Sequence, residues 1–147
     1  MSVISAIFRT LIGLAFGLAG AFALSPGWAA FGESSAMFPV VVILIGGALG
    51  LFAPTIRRAF GRGFLILGAS LFALPLSTML LSGRVAHETI TAASEADQGM
   101  AALGAGLAGT AATGAAAFVG FFLGAIFLIA GLILVLGGRR EVYVVHR

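Results

Sequence analysis

Residues 115–138 read AAAFVGFFLGAIFLIAGLILVLGG, without one charged or hydrogen-bonding side chain. A helix that is apolar on every side belongs either in the centre of a large core or in a membrane. A chain of 147 residues builds no core large enough to surround such a segment. About 20 apolar residues suffice to cross the hydrocarbon of a bilayer, so the segment reads as a transmembrane helix.

Working outward, three more stretches qualify: Phe8 to Trp28, Ala36 to Ala53 and Phe64 to Leu81. The expected fold is all-α, a polytopic membrane protein with about four transmembrane helices in one small bundle. Composition agrees. Charged residues make up 9% of the chain and hydrophobic ones 61%, against about 25% charged in a soluble domain. The mean hydropathy of +1.18 leaves too little polar surface to cover a globule, so apolar residues must face lipid.

The breaks between spans carry turn chemistry. Ser25-Pro26-Gly27 closes the first span, because Pro lacks the N–H that would continue the helical ladder. Trp28 and Phe31 follow at the depth of an aromatic belt. Pro54 closes the second span, and Arg57, Arg58 and Arg62 fill the link to the third. Residues 82–114 are expected as an outer loop. Within it, 100–114 (MAALGAGLAGTAATG) stays open between a loop, a re-entrant or interfacial helix, and a long extension of the fourth helix.

All eight basic residues are Arg. Arg9, Arg57, Arg58, Arg62, Arg139, Arg140 and Arg147 fall on one side of the expected membrane and only Arg84 on the other. Basic residues mark the cytoplasmic face, so both termini are expected in the cytoplasm. Arg-for-Lys usage with abundant Ala and Gly points to a bacterial chain in the cytoplasmic (inner) membrane. Residues Thr10 to Ala23 also match the apolar region of a signal peptide, with Ala21-Phe22-Ala23 as a cleavage signal. A lone Arg9 is a weak leader, so an uncleaved first span is the expectation, with Arg9 reaching back to the interface.

Several function classes are excluded or unsupported. The chain has no Cys, which removes thiol catalysis, disulfides and thiolate zinc sites. It carries no phosphate-binding loop and no nucleophile elbow, so no enzyme, no cofactor and no metal is expected. Its basicity reflects Arg at membrane edges; no nucleic-acid partner is indicated. No ionisable side chain lies in the middle of a span, where transporters hold theirs. The first helix lacks the Glu on which small multidrug exporters depend. Gly46-Gly47-Ala48-Leu49-Gly50 superficially resembles an element of fluoride channels, but the chain has no Asn and departs from their polar pore. His87-Glu88, with Glu95 and Asp97, is read as a solvated cluster.

The clearest pattern is small residues four apart: Gly13 and Gly17, Gly46 and Gly50, Gly120 and Gly124. Such pairs let helix backbones approach closely. They are taken as helix-packing faces, with the expectation that Gly13/Gly17 or Gly120/Gly124 docks another polypeptide. Arg57, Arg58 and Arg62 are taken as candidate contacts to lipid headgroups. The partners expected are the bilayer and either other membrane subunits or a second copy. The function expected is a non-catalytic accessory or structural subunit of a membrane complex. A small homo-oligomeric transporter or channel, or a membrane assembly or stress factor, is the alternative.

Overall fold

The computed structural model describes residues 3–137, apart from the side chains of residues 33 and 34. It is 90% helical and has no strand among the described residues. In chain order the elements are α1 (Val3–Ala23), α2 (Ser25–Phe31), a 3-10 turn (Gly32–Ser35), α3 (Met37–Leu51), α4 (Ile56–Phe72), α5 (Leu74–Ala92) and α6 (Gln98–Leu136).

Two helical hairpins make up the molecule. In the first, α1 packs antiparallel on α3; in the second, α4 and then α5 pack antiparallel on α6. The hairpins join through α1 against α4 and α2 against α5. There Gly20 faces Ser70 and Gly27 faces Ser77, an offset of 50 residues each time. A constant offset means that the two broken helices, α1–α2 and α4–α5, run parallel and in register. An aromatic spine crosses this junction. The Phe16 ring meets Phe64 edge-on at 4.9 Å, and Phe64 stacks on Phe127 of α6 at 5.5 Å.

The interior is made of small residues. Gly13, Gly17, Gly46, Gly50, Gly120, Gly124, Ala21, Ala53, Ala59, Ala116, Ser70 and Ser77 are buried, whereas Phe22, Leu44, Phe118, Phe122 and Ile133 are exposed. In water this would be inside out. In lipid it is the expected arrangement, because hydrocarbon solvates Leu and Phe while close backbone approach holds the helices together. Three helical stretches are long and apolar enough to cross a membrane: Val3–Ala23, Ile56–Ala92 and Gln98–Leu136. The protein is therefore an integral membrane protein. The fourth pass, α3, has 15 residues and reaches about 22 Å, short of the roughly 30 Å hydrocarbon core. It is matched to α1, which turns away at Leu24, level with the start of α3.

Several boundaries differ from the sequence reading. The first span does not end at Pro26: the helix breaks at Leu24, and Pro26 sits in the first turn of α2, where a missing N–H costs nothing. The third span is likewise broken at Ala73, with Pro75 opening α5. The largest correction concerns the expected outer loop 82–114. Helix replaces the loop over 82–92, where α5 runs to Ala92, and 100–114, left open above, is a long extension of the last helix, since α6 begins at Gln98. Ala-rich sequence favours helix, and each of its many Gly lowers helix stability by only about 1 kcal/mol. The four-pass path brings both described ends to one end of the bundle. Val3 lies beside Leu51, and Gly137 beside Arg57.

Candidate functional site

The glycine faces are filled from within the chain. A Cβ on Gly17 would lie 2.9 Å from the Cα of Ile43, and one on Gly46 would lie 2.7 Å from the Cα of Gly17. Gly13 and Gly50 face each other in the same seam. On the other hairpin a Cβ on Gly124 would lie 2.6 Å from the Phe72 ring, and Gly120 abuts the Leu71 carbonyl. The expectation that Gly13/Gly17 or Gly120/Gly124 docks another polypeptide is therefore corrected. Each short hairpin connection delivers an antiparallel helix of the same chain to that face first.

The paired breaks stand where transporters built from repeats place their binding sites, at corresponding interruptions of two halves. Phe22-Ala23-Leu24 precedes Pro26, and Phe72-Ala73-Leu74 precedes Pro75. The polar groups there are turned inward. The Trp28 indole N–H donates to the Ala21 carbonyl at 3.1 Å. Ser77 Oγ donates to the Ala73 carbonyl at 3.0 Å, and Thr78 Oγ1 to those of Leu74 and Pro75 at 3.1 and 2.9 Å. Pro75 offers no N–H to the Leu71 carbonyl, and Gly120 lets α6 close over that oxygen. The turn after α2 is sealed in the same way: Ser35 Oγ donates to the Trp28 carbonyl at 2.7 Å. Arg84 Nη1 donates to the carbonyls of Ala29 and Ala30 at 3.1 and 3.2 Å, while its Nε pairs with Glu88 at 2.7 Å.

At the other end, the link between α3 and α4 gathers arginines. Arg9 extends back toward the N-terminal end of α1, to the α3–α4 link. It is 3% exposed, with Nε donating to the Ser5 carbonyl at 3.0 Å and Nη1 to the Ala53 carbonyl. Arg62 Nη1 donates to the Leu49 carbonyl at 3.1 Å. These two cations thus answer the carboxyl end of α3, where its dipole is negative. Arg57 and Arg58 stay exposed in the first turn of α4, which Thr55 caps by accepting from the Arg58 N–H at 3.3 Å. Arg139, Arg140, Arg147 and His146 lie outside the described residues.

Depth follows from this geometry. Arg62 and Arg84 are about 33 Å apart along α4–α5 at 1.5 Å per residue, close to the hydrocarbon thickness. The hairpin beyond Arg84, with the turn at 93–97, forms a two-helix arm at the end of the molecule opposite Arg62. On it Met100, Leu103 and Leu107 are 75%, 65% and 72% exposed and share one helix face by their spacing of three and four. A Cβ on Gly83, Gly99, Gly104, Gly106 or Gly114 would meet nothing within 4 Å. The arm also carries His87, Glu88, Glu95 and Asp97; among the described residues no group of three potential metal ligands comes together.

Two signals in the sequence were available and missed. The repeated Phe-Ala-Leu before a proline announces the paired breaks, and the Ala content of 98–114 favours the helical alternative over the loop. Comparison of the chain with protein families, with curated proteins and with solved structures finds no match.

Proposed function

We propose that this protein is a non-catalytic accessory subunit of a larger complex in a bacterial cytoplasmic membrane. Both of its ends lie on the cytoplasmic side in this reading, as the arginine bias directs. The observation that carries the proposal is the α5–α6 arm. Its Met100, Leu103 and Leu107 form an exposed apolar stripe beside open glycines, at the end away from the arginines, and a partner helix would fit that surface. The docking element is therefore the arm, not the glycine seams inside the bundle.

A small transporter is the second reading, favoured by the paired breaks at corresponding places in two parallel hairpins. Against it, the Trp28, Ser77 and Thr78 donors at those breaks bond within the chain, and no acid lies within α1, α2 or α4. The test is isolation from native membranes in mild detergent with mass identification of whatever remains bound. Stoichiometric retention of a second polypeptide, lost on Leu103→Ser with Leu107→Ser while the bundle stays folded, supports the accessory role. A pure homo-oligomer that moves solute into liposomes contradicts it.

A further inference from the structure

The four described arginines at the α3–α4 end divide into two pairs with different duties. Arg9 and Arg62 are spent on the Ala53 and Leu49 carbonyls. Arg57 and Arg58 are exposed, and neither has an ion-pair partner among the described residues, where Arg84–Glu88 is the sole salt bridge. The nearest described carboxylates, on Glu88, Glu95 and Asp97, belong to the opposite end of the molecule. Arg57 lies beside Gly137, which brings the end of α6 to the same patch.

Arg57 and Arg58, consecutive in the helix and without a counter-charge among the described residues, concentrate positive charge at this end. The first turn of α4 adds to it, since its dipole is positive and it contains no acid. Their depth in the bilayer matters as much as their charge. Arg57 and Arg58 stand at the start of the Ile56–Ala92 stretch, which is long and apolar enough to cross a membrane, so they lie where that stretch leaves the hydrocarbon. That is the layer of phosphate groups, not of acyl chains or bulk water. Guanidinium matches a phosphate oxygen pair with two parallel N–H donors.

We propose that Arg57 and Arg58 together form a site for the phosphate of an anionic phospholipid headgroup, while Arg62 and Arg9 staple the link that presents them. A phosphodiester on a lipid and free inorganic phosphate share the recognised chemistry; the site takes the lipid form because its depth holds headgroups at high local concentration. Neither the accessory role nor the arm is required for this site.

The test uses purified full-length protein in detergent, titrated with phosphatidylglycerol or phosphatidylcholine and read by native mass spectrometry. The expected wild-type preference for phosphatidylglycerol is about 30-fold, from about a fivefold gain per arginine. Arg57→Gln with Arg58→Gln should erase it, Arg57→Lys with Arg58→Lys should keep most of it, and Arg84→Gln should leave it unchanged. On the wild-type protein alone, the preference should shrink as salt rises, which needs no variant to fold. An undiminished preference in the double Gln variant, or a salt-independent one, overturns the site. Displacement of phosphatidylglycerol by millimolar inorganic phosphate overturns the lipid assignment in favour of a soluble anion.

Discussion

Gly17 and Gly106 are the same residue type in helices of similar composition, and their surroundings give them opposite roles. At Gly17 an added side chain would strike the α3 backbone, which cannot yield as a flexible side chain does. Overpacking of this kind costs about 1–3 kcal/mol and sometimes more. Gly17→Leu and Gly124→Leu should therefore lower the yield of folded, monodisperse protein whether or not a partner is present. Gly106 has open space around it, and Gly106→Ala should raise helix stability by up to about 1 kcal/mol, measured as a higher midpoint in thermal unfolding followed by circular dichroism. A drop in that midpoint would mean that the arm packs against something inside the chain. Arg9 acts through a hydrogen bond instead of through space. Arg9→Leu leaves the buried Ala53 carbonyl without its donor, at about 1–3 kcal/mol, and the same assay should show a lower midpoint.

At the scale of elements, the apolar runs identify the membrane helices, because their length alone sets a bilayer crossing. The breaks at Leu24 and Ala73 were less legible. A proline marks a discontinuity but not its side, and both prolines open the following helix instead of closing the preceding one. The arm was least legible of all. Its Gly and Thr offset the helix propensity of its Ala, the stretch shows no amphipathic period, and α6 persists through it with α5 alongside. Arg84 is what ties that arm to the first hairpin, by bonding the last carbonyls of α2 and Glu88 together. Arg84→Ala should speed amide exchange at Ala29 to Gly32 while leaving α1 and α3 protected. Unchanged exchange there would remove Arg84 as the clasp.

For the whole molecule, the glycine spacing showed that helices meet closely but not which helices meet. Pairs in α1, α3 and α6 are equally compatible with internal seams and with a docking face; only the hairpin connectivity decides. The connectivity yields a bundle whose two ends differ in kind, arginines around Thr55 at one and a projecting arm with the turn at Ser94 at the other. The absence of Cys makes single-cysteine labelling clean. With a membrane-impermeant maleimide on sealed membrane vesicles, Ser94→Cys and Thr55→Cys should label from opposite faces, one from outside and the other only after the membrane is permeabilised. Labelling of both positions from the same side would contradict a chain that passes the bilayer between Thr55 and Ser94, and with it the account of arm, bundle and basic end together.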